Sequence, residues 1–292
     1  MPVFAQFYNY CSDGAVAKED SISTIALEGL ETPNSSVGIG VFSSSADKQV
    51  TFSKGNLQYT QSTNTWSFAE NQWDYIGTDN VTGGSVSSDP TYGDSKKGDT
   101  LSDKVDLFGW STNATYFGVS TSKDYNDYSG SFVDWGTNQI GADAPNTWRT
   151  LSYDEWEYLL NTRPNASFLK CVAQVNDVNG LILLPDNWVC LSDITFKSGF
   201  HSSFGADYYA AYQTFTANQW SKLESAGAVF LPAAGDRYGS YVGYVQSFGY
   251  YWSATKPRSR YAGCLGFGSN GARMTDVGNR RAGFSVRLVK NL

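Results

Sequence analysis

The clearest periodic signals in the chain are two short helices. In WRTLSYDEWEYLLNTRP, Ser152 and Glu155 stand three apart as a capping box, each side chain placed to satisfy an orphan backbone N–H, and Leu151 can staple against Trp156. This spacing predicts a helix starting at Tyr153, with Trp156, Leu159 and Leu160 on one apolar face and Pro164 ending it. The same grammar recurs in FTANQWSKLESAG. There Thr216 and Gln219 make the box and Phe215 and Trp220 the staple, so a second helix is expected from about Ala217 to Ser225.

Elsewhere the period is two. GIGVFS, KQVTFSKGNLQYT and TWSFAENQWDYIG alternate apolar and polar positions between polar turns, LKCVAQV and NGLILLPDNW predict a hairpin, and AVFLPAAG predicts another buried strand. Residues 78–103, rich in Gly, Ser and Asp with little to bury, read as a surface insertion. DLFGWS and FVDWGTNQIG supply aromatics to anchor long loops to the core. Two helices among many short strands predict an α+β fold. Residues 1–36, with an aromatic cluster (Phe4, Phe7, Tyr8, Tyr10), a short helix expected around Ile22 to Leu30 and a closing TPNSS, are too short for a core. They read as a leader that packs on the main domain, residues 37–292, or on a partner.

The last stretch, from Gly249 onward, contains a contradiction. Leu265 and Phe267 alternate with Gly266 and Gly268 at the period of a half-buried strand, yet glycine at the outward positions weakens a strand and offers nothing to pack. The inward face is written for a fold and the outward face is not. A bulge or a close backbone approach is the ordinary explanation for such glycines.

Composition narrows the class. Hydrophobic residues make up 41 % of 292, enough for a sizeable core, while aromatics reach 15 % and charged residues only 17 %. A surface finished with Ser, Thr, Asn, Gly and Tyr suits an extracellular β-rich protein or a binding surface, although aromatics also simply fill β-rich cores. The net charge of -7 argues against a nucleic-acid binder, but it is unevenly placed. From Lys256 onward eight basic residues (Lys256, Arg258, Arg260, Arg273, Arg280, Arg281, Arg287, Lys290) face only Asp276, a net +7 that leaves -14 on the remainder. Two readings stand: a basic patch that meets an anionic partner, or a solvated basic edge.

Candidate chemistry is sparse. GFGSNG (266–271) matches a dinucleotide-binding GxGxxG, but ARMTDVGNRR has no apolar helical face to follow it. His201 is the sole histidine, there is no GxSxG elbow, and a surface or loop position is expected for it. The acids Asp154, Glu155 and Glu157 are explained by capping and solvent exposure. Cys11, Cys171, Cys190 and Cys264 show no CxxC spacing, and free buried thiols are expected, with a Cys171–Cys190 bridge as the alternative. No apolar run reaches membrane-spanning length, and the first residues lack a signal peptide's basic start and apolar centre. Export by another route, such as assembly into a particle, or a signal removed beforehand would fit.

Several motifs together carry a family resemblance. WRTLSYDEWEYLL is similar to the W-R-L-P-T-x-x-E-W-E-Y segment of the formylglycine-generating-enzyme branch of the C-type lectin fold, and GFSVRLV resembles that branch's terminal strand. With VTFSKGNLQY, FVDWGTN, GLILLPDNW, AGAVFLPAAG, YYWSAT and NRRAGFSVRLV, the chain from about Gly38 resembles variable proteins of diversity-generating retroelements of gut bacteria and their phages. The resemblance implies a C-type lectin-like fold whose end, about 252–283, is rewritten at adenines, so that AAC-type codons yield Gly, Ser, Arg, Ala, Asp, Cys or Tyr. Outward and loop positions then form the ligand-binding set: Arg258, Arg260, Tyr261, Gly263, Cys264, Gly266, Gly268, Ala272, Arg273, Asp276, Gly278, Arg281 and Ala282. Trp252, Leu265, Phe267, Phe284 and Val286 are expected to be fixed as framework.

The function so implied is a display protein that binds a macromolecule, protein or glycan, on a host or other cell surface. It would sit outside the cell, on a phage particle or bacterial surface, with oligomerisation adding avidity. No nucleic acid, membrane span, metal or cofactor is expected. A conventional glycan-binding adhesin without diversification is the first alternative. An oxidase on the same fold is the second, but that branch uses a cysteine pair and only Cys264 lies in the corresponding region. A lectin-type calcium site is only loosely suggested by LPDNWV.

Overall fold

The computed structural model describes residues 40–84, 96–255 and 258–292. The leader, its expected helix, Cys11 and Lys256 lie outside the described residues. Those described form a mixed α+β structure of short, mainly antiparallel strands with three α-helices among them.

Both capping boxes form as the spacing predicts. Ser152 accepts from the Glu155 N–H while the Glu155 carboxylate accepts from the Ser152 N–H, and Thr216 and Gln219 do the same. The first helix is α-helical over Tyr153–Glu157 and widens into a π turn over Tyr158–Thr162, releasing the chain at Arg163 just before Pro164. The second helix runs Ala217–Ser225. A third, Asp207–Tyr212, carries no helix signal in the sequence, because ADYYAAY has no capping residue and only Tyr209 is fully buried.

The hairpin Lys170–Val175 and Val178–Leu183 turns through Asn176 and Asp177, both at positive φ (46° and 64°), the backbone a two-residue hairpin requires. Val229–Pro232 adds antiparallel to its second strand and Thr214–Phe215 adds parallel to its first. This sheet is apolar on both faces. Val172, Leu181 and Leu183 enter one core with Trp156 and Leu159, while Cys171, Ala173 and Ile182 enter another beneath Trp220 and Leu223. Runs such as LILL are therefore continuous instead of alternating.

Gln49–Phe52 pairs with Phe42–Ser43 on one side and Val289–Asn291 on the other. GFSVRLV does not make one terminal strand. Ala282–Gly283 pairs with Asp236–Tyr238, Phe284 bridges Phe108, Ser285 bridges Tyr251, and only then does Val289–Asn291 begin. Each short piece serves a different neighbour, so no single ladder spans the motif.

The insertion expected at 78–103 is partly structural. Val81–Thr82 pairs with Thr100–Leu101, and buried Asn80 donates to the Asp106 carboxylate at 2.8 Å while accepting from the Asp106 N–H at 2.8 Å. Cys171 is buried and free, whereas Cys190 is disulfide-bonded and exposed, which corrects the expectation of free thiols at Cys190 and of a Cys171–Cys190 bridge.

Burial pushes the Asp106 carboxyl up from 3.8 to about 6, against the opposing effect of its hydrogen bonds from Asn80 and Ile76. Its folded value exceeds its unfolded value, so across that window the folded chain keeps a proton that the unfolded chain has lost. This group's contribution to stability therefore falls as pH rises from about 4 to about 6. Urea midpoints measured across this range should fall less steeply in Asp106→Asn than in the native chain, while Asp236, whose carboxyl burial raises to about 7, contributes equally to both; equal slopes in both would refute the assignment.

Candidate functional site

The three strands that carry most of the candidate residues are Gly249–Trp252, Tyr261–Gly268 and Gly271–Asn279, all antiparallel. One face aligns Tyr251, Leu265 and Met274, with Phe267 beside them, and all four enter the core that holds Trp156. Gly249 is opposite Phe267, whose ring lies where a Cβ would be, 2.1 Å from the nearest ring atom. The Tyr251 hydroxyl locks this face by donating to the Pro232 carbonyl and accepting from Asn56 Nδ2, both at 3.1 Å.

The opposite face is not uniformly outward. At its base Trp252, Ala262 and Cys264 enter a second core with Phe284, whose ring centroid lies 4.3 Å from that of Trp252. Towards the hairpin end the same face opens: Gly266 is half-buried and its cross-strand neighbour Arg273 is exposed. The hairpin end is itself clamped. Ser269 is fully buried, its carbonyl accepts from His201 N–H at 2.9 Å, and its hydroxyl accepts from Gly205 N–H and donates to the Ser203 carbonyl, both at 3.0 Å.

The thirteen candidate positions therefore divide. Arg258, Arg260 and Arg273 are exposed, and Tyr261, Gly266 and Arg281 are half-buried. Gly263, Cys264, Gly268, Gly278 and Ala282 are buried, which corrects their reading as outward positions. A Cβ at Gly263 would stand 2.7 Å from both Tyr153 and Ser253 Oγ, and one at Gly278 would stand 2.8 Å from the Trp252 ring. Here the ordinary reading, close approach, is the one the geometry supports. Gly268 lies against the Phe204 and Phe248 rings, with a Cβ 3.2 Å from Phe204. Ala272 faces the first core instead of solvent. Asp276 lies on Gly271–Asn279, and its side chain is outside the described residues. The five framework positions, Trp252, Leu265, Phe267, Phe284 and Val286, are all buried.

The basic tail is likewise only partly a surface. Arg287 is fully buried and donates to Gln72 Oε1 at 2.5 Å, with burial pulling its pKa down to about 10, so it stays charged at neutral pH. Arg280 is buried with its guanidinium 5.3 Å from the Trp110 ring centroid, and it donates to the Ser259 carbonyl.

Exposed Arg260 and half-buried Arg281 meet residues that no sequence pattern singled out. Tyr125 receives Arg281 at 4.0 Å and Arg260 at 4.7 Å from its ring centroid, and Tyr238 receives Arg281 at 5.0 Å and Lys123 at 5.1 Å. Arg281 Nη1 also donates to the Lys123 carbonyl at 2.6 Å. The segment carrying Lys123 and Tyr125 is held by fully buried Arg237, whose guanidinium donates to the carbonyls of Leu107, Ser120 and Gly239. Behind this ridge lies a cleft of about 640 Å³ lined by residues that include Thr112, Asn113, Tyr116, Asn126, Asp127 and Ser129. Only an unusual density of Tyr, Asn and Asp in DYNDY marked the segment in the sequence.

Reactive chemistry is weakly supported. Burial pushes the Cys264 thiol up to about 12, so it is protonated at neutral pH and a poor nucleophile. GFGSNG forms the hairpin between two strands and opens no helix. His201 is half-buried in a loop, stacked on Tyr208 at 4.6 Å, with Nδ1 accepting from Ser203 N–H. Among the described residues no group of three or more His, Cys, Asp or Glu side chains is placed to hold a metal, and no helix is long and apolar enough to cross a membrane.

Three substitutions separate framework from surface by thermal or urea unfolding. Leu265→Ala should cost about 2–5 kcal/mol. Gly278→Ala should cost about 1–3 kcal/mol by overpacking against Trp252. Gly266→Ala, whose Cβ would meet only Tyr250 at an ordinary 3.6 Å, should stay within about 0.5 kcal/mol of the native chain. Comparable losses at all three would defeat the division. Comparison with known proteins returns no matching family model, no matching curated protein and no matching solved structure.

Proposed function

We propose that this chain is a ligand-binding display protein in which a C-type lectin-like α+β scaffold presents a variable surface at the end of the chain to a macromolecule on a cell surface. The observation that carries the reading is the division of the last sheet. Leu265, Phe267, Met274, Trp252 and Phe284 are locked in two cores, while Gly266, Arg273, Arg258, Arg260, Tyr261 and Arg281 reach solvent from the same strands and their flanking turns. Residues of the second set can change without disturbing the first. The variable set is accordingly narrower than the alternation of the strand suggests, because Gly263, Cys264, Gly278 and Ala282 are enclosed by framework side chains.

A rigid backbone under exposed Arg and Tyr side chains suits recognition, because little ordering entropy remains to be lost on binding. Diversification predicts a specific genomic arrangement: a nearby near-copy of the sequence encoding about 252–283, differing at adenines, beside a reverse transcriptase gene. Its absence would remove diversification. At the protein level, sibling variants differing only at the six accessible positions should share a melting temperature within a few degrees and differ in which cells they bind. Identical cell binding by such siblings would reduce the protein to an invariant adhesin.

A further inference from the structure

Lys123, Arg260 and Arg281 form an array of positive charge held by aromatic faces. Each stands over Tyr125 or Tyr238 within about 5 Å, where the ring quadrupole attracts a cation. Among the described residues none of the three makes an ion pair, and Arg281 Nε has no hydrogen-bond partner. The two acids in the same segment are otherwise engaged. Asp124 accepts from Asn126 N–H at 2.9 Å, and Asp127 accepts from the Ser122 hydroxyl. The described residues thus hold three like charges together with no carboxylate in direct contact with them, a condition that an anionic ligand would relieve.

We propose that this array is the anion-recognition part of a site for an acidic polysaccharide, with sulfate or carboxylate groups on Lys123, Arg260 and Arg281 and the neutral hydroxyls of the same sugar chain in the adjoining cleft. The cleft and the array share the segment from Thr121 to Tyr128. Its lining of Thr112, Asn113, Asn126 and Ser129 offers amide and hydroxyl groups matched to sugar hydroxyls, and exposed Tyr116 offers an aromatic surface to a sugar ring. Asp127 within the cleft repels anions there, so the charged substituents are directed to the arginine side of the ridge.

Two other anionic macromolecules fit less well. An acidic peptide gains its affinity from apolar anchors in a dry pocket, and this cleft is lined mainly by polar side chains. A single-stranded nucleic acid needs free aromatic faces for its bases, whereas guanidinium groups already cover Tyr125.

This inference rests on the display reading above and specifies its ligand class for this particular variant. The test uses the full chain and equilibrium binding to immobilised dextran sulfate, polygalacturonate, neutral dextran, polyglutamate and a single-stranded oligonucleotide. Dextran sulfate, polygalacturonate or both should bind, neutral dextran should not, and polyglutamate and the oligonucleotide should bind more weakly at matched charge. Arg260→Gln and Arg281→Gln should each weaken polysaccharide binding by about tenfold, as expected for loss of one charge-assisted contact, and Arg281→Lys should recover part of it. Lys48→Gln, an exposed cation elsewhere, should bind as the native chain does. Asn113→Ala should weaken binding without changing its salt dependence. Native-like binding by both Arg→Gln variants, no binding to either acidic polysaccharide, or tighter binding to polyglutamate or the oligonucleotide would overturn the proposal. If acidic polysaccharides fail while sibling variants still differ in cell binding, this inference falls and the display reading stands; if the siblings also bind alike, both fall.

Discussion

The constraint on which the rest of this structure depends is that the last sheet has a core on each face at its base. Leu265, Phe267 and Met274 press into one, and Trp252, Ala262 and Cys264 into the other. Burial of a Leu, Phe or Met side chain is worth about 1.5–3 kcal/mol. A glycine inside a strand costs about 0.5–1 kcal/mol. A strand carrying Gly263, Gly266 and Gly268 therefore persists because its apolar partners outweigh its glycines. Two of those glycines also let neighbouring side chains close over the backbone, Tyr153 at Gly263 and Phe204 with Phe248 at Gly268.

The same enclosure explains why charge near the end of the chain divides into two kinds. Arg237 and Arg287 are fully buried, yet they bond chiefly to carbonyl and amide oxygens instead of carboxylates. Burial lowers both pKa values to about 10, which leaves the guanidinium groups protonated at neutral pH. Such groups act as multi-toothed donors that satisfy loop carbonyls with no strand to pair with. Arg237 in this way ties the segments at Leu107 and Ser120 to the strand carrying Tyr238, and so sets the ridge on which Lys123 and Tyr125 stand. Arg260 and Arg273 are exposed, and among the described residues their side chains satisfy no buried carbonyl, so they remain available to a partner.

Rigidity reaches the hairpin end as well. The buried Ser269 and the loop carrying His201, Ser203 and Gly205 exchange three hydrogen bonds, so the turn between Gly268 and Gly271 is fixed by a distant segment. A surface built on such a turn presents its side chains with the backbone already ordered, and binding then loses less conformational entropy.

The sequence by itself determined the local devices: both capping boxes with their helix starts at Tyr153 and Ala217, the Asn176–Asp177 hairpin, the buried strand after Ala228, and the framework residues of the last sheet. Each depends on neighbours within a few positions, where side-chain spacing dictates hydrogen bonding and facing. Period-two alternation also correctly separated Leu265 and Phe267 from Gly266. It states only which positions share a face, however, and nothing about what that face meets. Tertiary structure alone decided that Cys264, Gly278 and Ala282 meet a second core, that Gly263 is closed over by Tyr153 and Ser253, that Arg280 and Arg287 are interior, and that Tyr125 and Tyr238 come to Arg260 and Arg281 from distant segments. The tyrosine contacts join residues more than forty positions apart, and the packing of separate segments, which no local period encodes, brings all of these groups together.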